Sequence, residues 1–241
     1  MARNYCEAYY HPGYSIATNG EDRVLRLLQS SGLATIFDVG ANTGEWSECA
    51  ITRHPSAQIE AFEAIPETAS HLARLRPNVR FHFHSFGLGG TEATCEMTYY
   101  GSAHSFLSSA VYRTHVVPGE TRKVLIRRGA EVAAELKCMH IDLLKIDVEG
   151  MEYDVLDGFS SMLSPVTITY IQFEHHSGGY KPLRAFYDLL EPRGYRIGKI
   201  YRRSVDFSPY DNCNERYAGP NYLAIPADAK EMLLKLSHPS D

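Results

Sequence analysis

The sequence predicts an α/β fold, a doubly wound and mostly parallel sheet with helices on both faces. Three observations predict it. Ile36-Phe37-Asp38-Val39-Gly40-Ala41-Asn42-Thr43-Gly44-Glu45-Trp46 is an apolar run that ends in an acid, followed by a Gly-flanked turn and a helix-forming stretch. About 25 residues after Asp38, the short run Ile59-Glu60-Ala61-Phe62 ends in a second acid, Glu63. Ile141 to Asp147 is a third apolar run with acids at its C-terminal edge: Asp147, Glu149 and Glu152. Doubly wound, Rossmann-like sheets hold their ligands where such strand ends meet.

The elements follow in order. Residues 1–19, rich in Tyr, Gly and His, read as an arm over the site. Glu21 to Gln29 is an amphipathic helix carrying Val24, Leu25, Leu27 and Leu28, and Gly32 stops it. After the strand ending at Asp38, a helix marked by Trp46 and Ile51 runs to Arg53 and is broken at His54-Pro55. Gln58 to Phe62 is a strand, and Pro66 opens a helix over Glu67 to Leu75. Val79, Phe81 and Phe83 alternate with Arg80, His82 and His84, as in a half-buried strand. His82 and His84 share a face, and with no third ligand nearby they read as polar strand-face residues. Ser85 to Gly90 is a loop reaching the ligand crevice.

Ala93 to Tyr99 is a strand. Gly101 to Thr121 has no periodicity and reads as a substrate-side loop holding His104, Ser105 and His115. Lys123 to Arg127 is a strand and Glu131 to Leu136 a short helix. After the strand at Ile141 to Asp147, a helix covers Glu152 to Leu156 and closes at Gly158. Val166 to Phe173 is a β-branched central strand ending in Glu174-His175-His176. Leu183 to Leu190 is a helix and Gly194 to Ile200 a strand. Tyr201 to Pro220 is a second long loop. Asn221 to Ile225 is the last strand, with a short helix beyond Pro226. Without repeats, low-complexity tracts or linkers, the reading is one domain: arm and helix over 1–32, core over 33–225, tail over 226–241.

The chain has 241 residues, 44% hydrophobic and 22% charged, with a formal net charge of −5. Those values fit a globular domain. Arg127-Arg128 and Arg202-Arg203 are isolated pairs rather than a basic stripe, so nucleic acid is not an expected partner. No apolar run nears the ~18 residues that span a bilayer, and the N-terminus lacks a signal-peptide core. The five cysteines (Cys6, Cys49, Cys95, Cys138 and Cys213) are scattered, without CxxC. Reduced thiols in a cytoplasm are the expectation.

The turn after Asp38 discriminates between ligands. A dinucleotide fingerprint needs Gly-x-Gly-x-x-Gly, so that backbone can approach the pyrophosphate at a helix N-terminus. Counting from Gly40, Asn42 and Glu45 occupy the second and third glycine positions. Glu45 would repel phosphates there. S-adenosylmethionine has a positively charged sulfonium and no phosphate, so Asp38 and Glu45 are compatible with it. The expected contacts are Asp38, Gly40, Ala41, Asn42, Gly44, Glu63, Ser85 and Asp147. The plain alternative is a strand-turn-helix in which Asn42 or Thr43 merely caps the helix.

The Asp-Val-Gly-Ala-Asn-x-Gly block, the Phe62-Glu63 strand end and above all Leu144-Lys145-Ile146-Asp147-Val148-Glu149-Gly150-x-Glu152 resemble the FkbM family of S-adenosylmethionine-dependent methyltransferases, over roughly residues 33 to 225. The resemblance implies a class I methyltransferase fold, with a seven-stranded, mostly parallel sheet and an antiparallel strand near one edge. It also implies O-methylation of a hydroxyl on a small molecule (a sugar, lipid or natural product). Relatives often carry Asn-x-Ala-Leu where this chain has Ser85-Phe86-Gly87-Leu88, and by that resemblance Ser85 is the expected contact to the adenine.

Methyl transfer to a hydroxyl needs in-line alignment and removal of a proton. Catalytic candidates are Asp147, Glu149 and His175, the last for its near-neutral titration. Glu149 has a structural alternative, capping or pairing with Lys145, and Glu152 reads as a helix-dipole residue. A divalent ion on Asp147, Glu174 and His175 is a less favoured alternative, because no diagnostic metal spacing is present. Tyr99, Tyr100, Tyr201, Tyr210 and Tyr217 could line an acceptor pocket. Other readings are an N-methyltransferase, a non-catalytic S-adenosylmethionine-binding protein and, against the missing glycines, an oxidoreductase.

Overall fold

The computed structural model describes residues 15–75, 77–99, 120–175, 181–211 and 221–238, apart from the side chains of Thr98 and Tyr99. The arm over 1–14, Tyr100, His104, Ser105, His115, His176, Tyr217, Cys6 and Cys213 lie outside the described residues.

In chain order the first half holds α1 (Glu21–Leu28), β1 (Thr35–Val39), α2 (Glu45–Arg53), β2 (Gln58–Phe62), α3 (Pro66–His71), β3 (Phe81–His84), β4 (Gly87–Gly89), β5 (Ala93–Tyr99) and β6 (Glu120–Arg128). The second half holds α4 (Gly129–Glu135), β7 (Ile141–Ile146), α5 (Glu152–Gly158), β8 (Ile168–Glu174), α6 (Leu183–Leu190), β9 (Tyr195–Ile200), β10 (Val205–Asp206), β11 (Asn221–Pro226) and α7 (Lys230–Ser237).

The main sheet runs β10-β9-β11-β8-β7-β1-β2-β3. β3, β2, β1, β7 and β8 are mutually parallel, and β11 is antiparallel to both β8 and β9. The sequence reading of a mostly parallel sheet with an antiparallel strand near one edge therefore holds. The count of seven needs correction to eight, because Val205–Asp206 folds back on Ile200 and Lys199. Two residues carry no alternation that a sequence pattern could show. A second correction concerns β4, β5 and β6, which form a separate three-stranded sheet. β4 is Gly-Leu-Gly, which reads as loop. It packs closely on α5: a Cβ on Gly158 would stand 2.1 Å from the Gly89 carbonyl oxygen.

Central strands are apolar because helices cover both faces. Ile36, Ile59, Leu143 and Leu223 bury one face beneath Val24, Leu25 and Leu28 of α1, Trp46 and Ala50 of α2 and Leu236 of α7. Phe37, Phe62, Ile146 and Phe173 bury the other beneath Val132 of α4, Val155, Leu156 and Phe159 at α5, and Phe186 and Leu190 of α6. Two strands start later than the apolar pattern predicts. Val79 and Val166 are exposed, at 86% and 83%, because turns at Asn78 and Ser164 supply the carbonyls that anchor Phe81 and Ile168. Among the described residues, Cys49, Cys95 and Cys138 are free thiols, and no helix is long and apolar enough to cross a membrane.

Candidate active site

The C-terminal ends of β2, β1, β7 and β8 lie side by side, and hydrogen bonds stitch them. The amides of Gly40 and Ala41 donate to the Phe62 carbonyl at 2.9 and 3.0 Å, and the Asp147 amide donates to the Val39 carbonyl at 2.9 Å. Gly40 makes this closure sterically feasible. Its φ is 78°, and a Cβ there would lie 1.8 Å from the Asp147 carbonyl oxygen. Asn42 continues the turn with a φ of 48°, and its amide donates to Glu63 Oε2 at 2.9 Å. The Ile65 amide donates to Glu63 Oε1, also at 2.9 Å. Burial raises the Glu63 pKa, and these two amides restrain the rise. Gly44 precedes α2 in the left-handed region, and no side chain caps that helix. Asn42 and Thr43 are therefore not its caps.

The turn after β7 is the second unusual backbone. Glu149 has a φ of 57° and Gly150 a φ of 105°. A non-glycine residue there carries strain of about 1–3 kcal/mol, a feature that clusters at functional turns. Glu152 holds the turn, accepting the amides of Val148 at 3.2 Å and Gly150 at 2.8 Å. Its part is structural, as its place at the start of α5 implies.

Beneath the rim lies a buried polar row. Asp38 pairs with Lys145 in register across β1 and β7, and Lys145 pairs with Gln172 across β7 and β8. Lys145 Nζ stands 3.1 Å from Asp38 Oδ1, 3.4 Å from Asp147 Oδ2 and 3.3 Å from the Gly40 carbonyl. Trp46 lies beside it, with its ring 5.8 Å from Nζ. Ser47 Oγ donates to Asp38 Oδ2 at 2.6 Å. Burial opposes the Lys145 charge, but Asp38, Asp147 and Glu21 together raise its pKa above the ordinary lysine value. The two acids it joins differ in access. Asp38 is fully enclosed, whereas 39% of the Asp147 side chain is exposed. Asp147 is open to a ligand, whereas Asp38, expected as a direct contact, is shut off from solvent against Lys145.

At the rim, Asp147, Glu149 and Glu174 bring one carboxylate oxygen each within 4.8 Å of the others. Burial raises the Glu174 pKa strongly, and its neighbour and hydrogen-bond partner Asp147 raises it further. Two carboxyl groups this close share a proton rather than both ionising. Three such oxygens could also bridge one hard divalent cation.

The sequence-predicted contacts Asp38, Gly40, Ala41, Asn42, Gly44, Glu63 and Asp147 thus come together at adjacent strand ends. Ser85 follows β3 and is exposed. His175 goes elsewhere: its Nε2 lies 3.1 Å from the Lys181 carbonyl, and its ring packs edge-on against Phe186 and Tyr222. Successive strand residues point to opposite faces, so Glu174 faces Asp147 while His175 faces α6. The grouping expected for a cation, Asp147, Glu174 and His175, therefore forms with Glu149 in place of His175. His82 and His84 both meet the Glu60 carboxylate, at 3.0 and 2.7 Å. The Lys199 ammonium lies 5.8 Å from the ring of Tyr201, and Tyr210 packs on Tyr187.

Sequence reasoning missed Ser47, Glu21 and Gln172, and treated Lys145 only as a partner for Glu149. One signal was present: a lysine inside Ile-Asp-Leu-Leu-Lys-Ile must be paired if the strand is buried.

Residues 38–197 match the methyltransferase FkbM domain. The chain belongs to the FkbM methyltransferase family. It is 28% identical over 206 residues to the AMB antimetabolite synthetase AmbE of Pseudomonas aeruginosa, spanning 68% of this chain but only 10% of that relative. It is 26% identical over 205 residues to the 2-O-methyltransferase NoeI of Sinorhizobium fredii, covering 78% of this chain and 82% of that one. The crystal structure of a methyltransferase FkbM from Methylobacillus flagellatus KT superposes with a TM-score of 0.50 at 17% identity, over 80% of this chain and 44% of that one. That likeness concerns the fold. The FkbM match takes in Asp38, Glu63, Lys145, Asp147, Glu149 and Glu174, and leaves Glu21 outside it.

Proposed function

We propose that this FkbM-family chain transfers the methyl group of S-adenosylmethionine to a hydroxyl of a small molecule. The observation that carries the reading is the charge balance at the strand ends. Glu21, Asp38 and Asp147 surround Lys145, and Glu63 senses both Lys145 and Asp38. Acids in excess of the buried cation favour a positively charged ligand and oppose a pyrophosphate. Glu45, in the first turn of α2, repels phosphates from the helix start that a dinucleotide would use.

In this reading Glu63, fixed by two backbone amides, faces the ribose hydroxyls of the donor. Asp147 and the Lys145–Asp38 pair set the charge beside its methionine end. Gly40, Ala41, Asn42 and Gly44 line the turn that passes it. The acceptor oxygen attacks the methyl carbon, the carbon–sulfur bond breaks toward sulfur, and the hydroxyl proton passes to the Asp147–Glu174 pair. Glu149, at the strained turn, orients the acceptor beside them. His175 is a weaker base candidate, because its ring is committed to the Lys181 carbonyl and to aromatic packing. The likeness to NoeI, a 2-O-methyltransferase, supports oxygen as the acceptor atom.

Isothermal calorimetry with S-adenosylhomocysteine tests the donor reading, and an absence of binding ends it. Methylation of an amine that survives loss of Glu149 and of the Asp147–Glu174 pair would instead favour nitrogen as the acceptor.

A further inference from the structure

Three neighbouring residues at the start of α1 point three ways. Asp22 turns to Arg53 and Cys49 of α2. Arg23 donates to the carbonyls of Leu236 and His238 beyond it. Glu21 turns inward and is buried. Its carboxylate accepts one hydrogen bond from Asn19 Nδ2 and another from Gln172 Nε2. The Asn19 side chain in turn accepts the Glu21 amide at 3.0 Å, closing the turn that drives the carboxylate inward. The charged groups whose fields reach it are Lys145 and Asp147, both from β7 and its end, and Gln172, which it bonds directly, is the register partner of Lys145.

An acid in the first turn of a helix is usually explained by the dipole. That explanation does not account for where the carboxylate goes: it is buried and bonded to Asn19 and to Gln172 of the central strand β8. Packing does not explain it either, since a leucine would fill the same space without the cost of burying a carboxyl. Glu21 adds a third carboxylate whose charge acts on Lys145, with Asp38 and Asp147. Resting on the donor reading above, we infer that Glu21 is a positioning residue of the donor site: it fixes Gln172, the register partner of Lys145, by a direct hydrogen bond, and its charge steadies Lys145 between Asp38 and Asp147, the acid that meets the cationic donor.

This arrangement has a titration consequence. Burial pushes the Glu21 pKa up to about 7, against the pull of Lys145. The donor's ammonium is offset by its own carboxylate, so the sulfonium arriving beside Asp147 is the net positive charge added near Glu21, and it favours the ionised form. Donor binding then releases a proton from Glu21, and affinity rises with pH across neutrality. A drop of one unit in the Glu21 pKa on binding gives about a fivefold rise in affinity from about pH 6 to about pH 8.

The experiment is calorimetry with S-adenosylmethionine and S-adenosylhomocysteine at those two pH values, on the wild-type chain, Glu21→Gln and Glu21→Asp. Steady-state kinetics and thermal unfolding are measured alongside. The wild type should bind S-adenosylmethionine several-fold tighter at the higher pH. Glu21→Gln should lose that gain and raise the donor KM more than it lowers kcat. Glu21→Asp keeps the charge but falls short of Gln172, and should keep part of the gain. Glu21→Gln that loses thermal stability while keeping the full pH gain would show a packing role and overturn the inference. A wild-type chain that binds neither ligand at either pH overturns the donor reading itself.

Discussion

Asp38 and Lys145 stand in register on adjacent strands, and their charged ends meet at 3.1 Å with both side chains shut away from solvent. The pair is half of the candidate site and also part of the sheet interior. A buried ion pair is costly to break, because removing one partner strands the other charge. Lys145→Met should therefore destabilise the fold by about 3–5 kcal/mol. Lys145→Met with Asp38→Asn should cost clearly less than the sum of the single changes, since neither charge is then left alone. Urea denaturation of the four proteins measures this, and additive losses would show that the pair is not coupled.

Gly40→Ala is expected to be among the most disruptive small substitutions. The new methyl would overlap the Asp147 carbonyl, and the backbone φ of 78° disfavours any side chain. β1 and β7 would have to part at the site. We expect a stability loss of more than about 1 kcal/mol and loss of S-adenosylhomocysteine binding. Gly150→Ala is the control: its φ is also positive, but nothing lies within 4 Å of the new methyl. It should lose less stability. Equal losses would mean that strain, not the contact with Asp147, sets the effect.

Much of this arrangement is legible in the sequence, for a physical reason. Asp38, Glu63 and Asp147 each end an apolar run, and parallel strands in a doubly wound sheet bring such ends together. The rest depends on partners far apart in the chain. Lys145 is a lone cation in a strand, and only the register shows that it faces Asp38 and Gln172. Glu21 looks like any acid at a helix start. β4 and β10 are three and two residues long, too short for alternation to register. His175 follows Glu174 directly, so the strand's alternation sends it to the opposite face, a distinction that adjacency in sequence hides.

Asp147 and Glu174 should respond differently to neutral isosteres. Glu174 is already held protonated by burial and by Asp147, so Glu174→Gln imitates its resting form. S-adenosylhomocysteine affinity should change little, while kcat falls about tenfold as the pair loses its shared proton. On the proposed mechanism Asp147→Asn removes the group that takes the acceptor proton, and should lower kcat by about 10²–10⁴-fold. Equal and small effects of both changes would move the base to Glu149.

A divalent ion makes a separate expectation. Asp147, Glu149 and Glu174 could bridge one, but a proton shared by Asp147 and Glu174 already satisfies two of the three. Methyl transfer should therefore be unaffected by millimolar EDTA and unstimulated by magnesium. Loss of activity with EDTA, restored by magnesium, would replace the shared proton with a shared cation.

The pH dependence of stability follows from the direction of these shifts. Burial raises Glu21 from the ordinary 4.5 to about 7 and raises Glu174 strongly as well. A raised acid binds its proton more tightly folded than unfolded. Its contribution is complete below the unfolded pKa and is lost as pH climbs through the folded value. His54, lowered by burial from 6.5, has the opposite slope below 6.5. Lys199, lowered by burial to about 8, has the opposite slope above that value. Between about pH 6.5 and 8 the raised acids set the sign, Glu21 up to about 7 and Glu174 beyond it, so the protein without donor should lose stability as pH rises through that window. Glu21→Gln should be both less sensitive to pH and more stable than the wild type at the upper end. Urea midpoints at several pH values test the sign. A midpoint that rises across this window would show that Glu21 and Glu174 do not carry raised pKa values in solution.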